Sequence, residues 1–229
     1  MSLNKNFLSL DKFIHQALYS PKTGFYMKKN PFGDKGDFIT SPLISILFSE
    51  MLSVWTVAFW QNLKCPKNIN LIELGAGNGQ MMYDMLNSFK SFPEFNKSCK
   101  FYIFETSPHL KKIQKEKLKG FNVIWIKNLN EIKKNYNIFI ANEFFDALPI
   151  KQFFKINKKW MERFVVLEKN NKKKFINFVS NIKKVEKKIG FKISKNQKII
   201  EYSPLGLEYL KIISKKINKT KGGLLIIDY

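Results

Sequence analysis

Arginine is almost absent from this chain and cysteine is scarce. Of the forty basic residues thirty-nine are lysines, with Arg163 the single arginine, and the two cysteines, Cys65 and Cys99, form neither a CxxC pair nor any other metal-ligand spacing. The cysteines therefore suggest no disulfide framework and no metal site, and they fit a reducing compartment. The shortage of arginine bears on the formal charge of +22. A basic field of that size attracts polyanions, but base-reading surfaces draw on arginine forks. Here the lysines fall in scattered runs, such as Lys111-Lys112, Lys172-Lys173-Lys174 and Lys183-Lys184, amid abundant Asn, Ile and Phe. That pattern reads as AT-rich codon usage and solvated faces. Nucleic acid is not an expected partner; a transient electrostatic role with an acidic partner stays open.

The N-terminus has no apolar segment with a cleavage site, so no targeting peptide or mitochondrial presequence is read. A bacterial cytoplasmic location is expected in preference to the mitochondrial matrix. One stretch, Leu43 to Trp60, is long enough to compare with a spanning helix. Ser41, Ser45, Ser49 and Ser53 recur there at four-residue spacing beside Glu50 and Thr56, which predicts a buried helix with one polar stripe and no membrane span. Internal repeats are absent.

What is present is 45% apolar and 15% aromatic residues, enough for a full globular core. Leu10, Phe13, Ile14, Ala17 and Leu18 follow helical spacing. A loop, FGDKGDFITSP from Phe32 to Pro42, ends with Ser41 placed as an N-cap and Pro42 at the first helical position, and a long helix is expected from there to about Leu63. Ile69 to Leu74 reads as a strand, Gly75 to Gly79 as a turn, and about Gln80 to Phe89 as a helix. Strands follow at Phe101 to Phe104, Val123 to Ile126 and Ile138 to Ala141, with a Ser107-Pro108 helix start between the first two. Strands alternating with capped helices predict an α/β fold with a mainly parallel, doubly wound sheet.

From Lys151 the rhythm changes. Lys151 to Ile156, Trp160 to Glu168 and Lys174 to Val179 read as a β meander with turns at Asn157-Lys158 and Asn170-Asn171. A helix from Ser203-Pro204 and a fifth strand, Leu224 to Asp228, then return to the core. Four regions result: an N-terminal helical cap (1–66), a Rossmann-like core (67–150), an inserted β-rich lobe (151–200) and the return to the core (201–229). An uncovered apolar edge strand at Tyr229 leads to the expectation that a C-terminal part is missing.

The string LIELGAGNGQ sets Glu73 at the end of the first strand and Gly75, Gly77 and Gly79 in the turn after it. Dinucleotide loops read GxGxxG over a pyrophosphate. The spacing here is GxGxG, which favours a nucleoside ligand without pyrophosphate, such as S-adenosylmethionine (SAM), whose amino group can pair with Glu73. An ordinary glycine turn is the competing reading. Glu105, ending the second strand, can accept both ribose hydroxyls, or can serve as a charge at the start of the helix capped by Ser107. Asn128 and Leu129 stand by position where an adenine would rest. Asn142, Glu143, Phe144, Phe145 and Asp146 end the fourth strand, at the carboxyl edge where open α/β sheets bind ligands. The two acids are costly to bury without a partner and read as substrate ligands, with either phenylalanine open to a core role.

Together the segments FGDKGDFITSPLIS, LIELGAGNG, FETSPHLKKIQ, ANEFFDALPIKQFF, WMERFV and GGLLIIDY resemble the MidA family of class I SAM-dependent methyltransferases, which includes a mitochondrial protein-arginine methyltransferase that assists assembly of respiratory complex I. The resemblance implies a Rossmann-like SAM-binding core with an N-terminal cap and an inserted lobe. It places Gly75, Gly77, Gly79 and Glu105 at the cofactor, with Thr40 and Ser41 of the cap loop beside it, and Asn142, Glu143 and Asp146 in the strand-four motif. Leu43 departs from the glutamate usual after TSP. The implied reaction is methyl transfer to arginine of a protein, possible acceptors including a complex I subunit, with Glu143 and Asp146 catalytic and Asn142 and Phe145 binding substrate. A SAM-binding assembly factor without turnover, and an RNA or amide N-methyltransferase in which Asn142 and Phe145 hold the acceptor, are the other readings.

Overall fold

A computed structural model describes residues 7–28, 31–33, 36–38, 40–167 and 172–228. The turn expected at Asn170-Asn171 and the terminal Tyr229 lie outside the described residues. A short strand, β1 (Phe7–Ser9), runs directly into α1 (Leu10–Tyr19), and α2 (Phe25–Lys28) follows after a turn. The helix expected to run unbroken from Ser41 is in fact two, α3 (Ser41–Ile44) and α4 (Ile46–Asn62). Thr40, not Ser41, takes the N-cap position of the first. Ser45 breaks the run because its backbone is extended, at φ −149° and ψ 129°, and its hydroxyl accepts the Leu47 N–H, which caps a new helix.

The polar stripe expected on α4 faces inward. Ser49, Ser53 and Thr56 are fully buried, while Leu47, Met51 and Val54 are more than half exposed. The hydroxyls of Ser53 and Thr56 donate to the carbonyls of Ser49 and Leu52 at 2.8 and 2.7 Å, so burial leaves those two satisfied. Small side chains on the inner stripe let the helix lie close to its neighbours; Leu52, Val57 and Trp60 are buried beside them, while Leu47, Met51 and Val54 stay outside. Among the described residues no helix is long and apolar enough to cross a membrane.

Next along the chain come β2 (Ile69–Leu74), α5 (Gln80–Ser88), α6 (Pro93–Ser98), β3 (Cys99–Phe104), α7 (Pro108–Lys117), β4 (Val123–Ile126) and β5 (Tyr136–Asn142). The lobe follows as β6 (Lys151–Ile156), β7 (Lys159–Leu167), β8 (Lys173–Val179), α8 (Ile182–Ile189) and β9 (Ile199–Tyr202), and the chain returns through α9 (Pro204–Thr220) and β10 (Gly222–Ile227). Periodicity did not reveal α6, α8 or β9, which are all short.

The core sheet has the order β10-β5-β2-β3-β4, and every neighbouring pair is parallel. All six residues of β2 are buried, as a central strand covered on both faces must be. On one face α4, α5 and α6 supply Trp60, Met81, Met85 and Phe95 to a core around Leu71 and Ile138. On the other, Ile213 of α9 packs with Ile72, Phe139 and Phe104. The second sheet is antiparallel and unites distant parts of the chain: β1 pairs with β7, which also pairs with β6 and β8, and β9 closes the far edge on β6. Lys151 lies between Asp11 of α1 at 3.3 Å and Glu162 of β7 at 2.5 Å, tying the first helix to this sheet.

Candidate functional site

Two cavities open at the carboxyl ends of β2, β3 and β5, one of about 480 Å³ and one of about 50 Å³. Phe32, Thr40, Gly75, Gly77 and Glu143 line both, so the glycine loop is where they meet. The loop backbone is left-handed at Gly75 and Gly77, with φ +66° and +52°, a region that L side chains adopt at a cost. Space forbids a side chain as well. A Cβ on Gly75 would stand 2.7 Å from Phe144 Cδ2, and one on Gly77 would stand 3.3 Å from Phe32 Cδ2. Gly79 lines neither cavity and serves instead as the left-handed N-cap of α5.

The parallel register sets Glu73 of β2 beside Ile140 of β5, two residues before Asn142. Both Glu73 and Asn142 line the small cavity. The Glu73 side chain is 4% exposed, and its Oε2, like Asn142 Oδ1, is buried without a hydrogen-bond partner among the described residues. Burial, with the nearby Glu105 adding to it, pushes the Glu73 carboxyl up to about 8. Two unpaired acceptors in one cavity lack a donor, and an ammonium group such as that of SAM satisfies both and restores the charge of Glu73.

Glu105 follows β3 and lines the large cavity, 6% exposed. Its Oε1 accepts the Ser107 N–H at 2.8 Å and its Oε2 accepts Gln114 Nε2 at 2.9 Å. Burial raises its pKa, and these bonds oppose that by favouring the ionised form. A carboxylate has roughly four acceptor sites, and with the Thr106 backbone also favouring the ionised form the group keeps acceptor capacity for a ribose hydroxyl. Ser107 is also the helix cap foreseen from sequence, its hydroxyl accepting the Leu110 N–H at 3.2 Å while donating to the Tyr26 carbonyl at 2.7 Å. The glycine cradle, the orphaned Glu73 oxygen and the buried Glu105 carboxylate together fit SAM.

A roof that sequence reading missed covers the large cavity. Tyr26 stacks between Tyr19 and Phe32 at centroid distances of 5.5 and 6.3 Å, and the Tyr19 hydroxyl donates to the Ala147 carbonyl at 2.9 Å. Aromatic residues at 19, 26 and 32 share no single period, with a turn at 21–23 between the first two. Gln114 also went unread, although its seven-residue offset from the Ser107 cap turns it inward with Leu110.

At the end of β5 the chain bends sharply. Glu143 has φ +48°, a conformation that costs a non-glycine residue roughly 1–3 kcal/mol, and its N–H donates to the Ile227 carbonyl of β10 at 2.8 Å. This bend sets Glu143 at both cavities and Asp146 at the large one. Asp228, just past β10, is raised in pKa by burial and then by Asp146, a third carboxylate that sequence reading did not single out for the site.

Besides Gly79, four expected residues line neither cavity. Phe145 packs edge-to-face on Phe144 at 5.2 Å and joins the core under α9, so its role is packing. Asn128 is exposed and caps the turn Leu129–Glu131, accepting the Asn130 N–H at 2.9 Å while Glu131 accepts its own N–H at 2.7 Å. Leu129 is 1% exposed in the core under α9. The segment after β4 thus serves a capping box, and it is Thr106, Ser107 and Leu110 that face the large cavity. Ser41 is the first residue of α3 and lines neither cavity, whereas Thr40 lines both and Pro42 and Leu43 line the small one.

Comparison with known proteins gives a consistent assignment. The model of a family described as "Putative S-adenosyl-L-methionine-dependent methyltransferase" matches residues 51–229. The mitochondrial protein arginine methyltransferase NDUFAF7 of Xenopus laevis is 31% identical over 97% of this chain and 56% of its own length. Its Homo sapiens counterpart is 28% identical with the same two coverages. The chain therefore spans a little over half the length of these relatives. A Burkholderia thailandensis structure described as a "COG1565 superfamily member and likely methyl transferase", bound to S-adenosyl-homocysteine, superposes with a TM-score of 0.72 at 21% identity, covering 91% of this chain and 55% of that one. That likeness is one of fold.

Proposed function

Because the chain belongs to the S-adenosyl-L-methionine-dependent methyltransferase family whose model spans residues 51–229, we propose that it transfers a methyl group to a guanidinium nitrogen of arginine in a protein. The observation that carries this reading is Glu143, held in a left-handed bend where both cavities meet. SAM, when bound, supplies an electrophilic methyl on a sulfonium that leaves as a neutral thioether.

The residues of this chain do the rest. Glu73 and Asn142 take the ammonium group, Glu105 takes the ribose hydroxyls, and the roof of Tyr19, Tyr26 and Phe32 excludes water. A guanidinium stays protonated at physiological pH, so it must be oriented and polarised in place of being deprotonated beforehand. Glu143 and Asp146 accept its N–H groups, draw positive charge away from the attacking nitrogen and receive the proton released once the new C–N bond has formed. Held geometry of this kind supplies about 7–11 kcal/mol in the best-oriented model reactions. The names of the relatives, protein arginine methyltransferases, support the choice of acceptor. A subunit of respiratory NADH dehydrogenase is the first acceptor to test.

The experiment is incubation with methyl-labelled SAM and cell extract, followed by amino-acid analysis. Label in methylarginine supports the reading. Label in RNA or in glutamine overturns it, and SAM binding without any transfer selects an assembly factor that binds its partner and does no chemistry.

A further inference from the structure

Gln114 lies in α7 at a position no functional reading of the fold requires, yet it is fully buried. All three hydrogen-bonding positions of its carboxamide that face protein are used. Nε2 donates to the Gly77 carbonyl at 2.9 Å and to Glu105 Oε2 at 2.9 Å, while Oε1 accepts Trp125 Nε1 at 3.0 Å. An indole nitrogen is a donor only. Trp125 on β4 therefore dictates which end of the amide faces it, and both N–H groups are thereby aimed at the glycine loop and the Glu105 carboxylate.

We propose that Gln114, oriented by Trp125, is the positioning residue of the cofactor site: it locks the glycine loop and Glu105 into the one relative geometry that accepts a ribonucleoside. The inference rests on the SAM reading of the cavity. Without the bridge, Glu105 keeps its Ser107 bond on Oε1 but loses the partner that fixes Oε2, and its carboxylate can turn away from the ribose. The loop is coupled to the same hinge, since the Gly77 carbonyl has the same donor. A glutamine suits this place because it carries two donors and one acceptor on a neutral planar group; a carboxylate there would repel Glu105, and a leucine would leave three buried polar groups unpaired.

The test compares S-adenosylhomocysteine (SAH) with its 2′-deoxy analogue by titration calorimetry on the wild-type chain, Gln114→Leu and Trp125→Phe. Wild type should prefer SAH by at least about tenfold, as a bond to a charged group warrants. In Gln114→Leu that preference should collapse to within about twofold. Trp125→Phe keeps an aromatic ring on β4 while removing the N–H that fixes the amide together with part of the indole volume, so it should lose part of the preference at a modest cost in stability. It keeps the inference testable if Gln114→Leu does not fold. A merely structural role would weaken both ligands equally and leave the ratio intact, and that result in either folded variant overturns the proposal. Absence of SAH binding by wild type overturns the SAM reading and this proposal with it, whereas wild-type binding with an unchanged ratio in the variants overturns this proposal alone.

Discussion

The ring of Phe144 closes the space in front of Gly75, where a Cβ would stand 2.7 Å from Cδ2. The motif at the end of β5 and the loop after β2 are thus shaped against each other, although 69 residues of sequence separate them. Gly75→Ala must both adopt φ +66° and displace that ring, so a loss of about 2 kcal/mol or more is expected, together with loss of SAH binding. Gly77→Val meets Phe32, a roof residue, at φ +52° where a β-branched side chain is strained, and should abolish binding. Calorimetry and thermal melts on both variants decide; SAH affinity retained in either would refute the cradle.

Ligand-free Glu73 holds its proton up to about pH 8. An acid whose folded pKa lies above its unfolded value, about 4.3, stabilises the fold most below that unfolded value. The contribution is lost as pH rises through the folded pKa. Ligand-free melting temperature should therefore fall from about pH 5 to about pH 8, and Glu73→Gln should flatten that decline. An ammonium ligand needs the ionised form, so SAH binding releases a proton and strengthens by up to about tenfold per pH unit below the folded pKa. A pH-independent affinity for SAH would falsify the pairing.

Glu143→Gln retains size and one acceptor but removes the charge. Methyl transfer should drop by about 100-fold or more, with SAH affinity changed no more than about threefold. Glu143→Gly should also be inactive, yet more stable by about 1 kcal/mol, since glycine adopts the left-handed bend without strain. Urea titrations beside the activity assay separate the two effects; a destabilised Glu143→Gly would show that the bend is not strained.

On α4 the outer stripe is apolar and the inner one small and polar. Met51→Lys, at a residue 67% exposed, should change stability by less than about 0.5 kcal/mol. Ser53→Leu makes the helix more apolar but overfills a buried position, at a cost of about 1–3 kcal/mol. Hydrophobicity ranks these two variants in the opposite order, and denaturant midpoints discriminate between the alternatives.

The core sheet was legible because each strand is a short apolar run bounded by Gly or Ser-Pro punctuation, and the site acids Glu73, Glu105 and Glu143 stand at or just beyond the ends of such runs. The polar stripe of α4 was legible but its direction was not, because spacing shows that such a stripe exists and not which way it faces; two back-bonded hydroxyls made burial cheap enough for packing to decide. Asn128 was assigned by position alone, and Glu131 three residues on, the partner in a capping box, was the local signal against it. The roof was hidden because its aromatics share no period and Tyr19 is anchored 128 residues away, and Gln114 because its three partners lie on three other segments.

The antiparallel sheet has a consequence for assembly. Phe7 of β1 pairs with Val166 of β7, so the strand preceding the roof residues is held by chain made more than 150 residues later. Contacts of such long range form late, because the loop they close must be ordered first. The parallel core can gather before the roof closes over it, which makes the competence to retain a nucleoside a property of the last folding step. A mutation in the distant meander, at Val165 or Val166, would then delay that competence without touching any atom of the cavity.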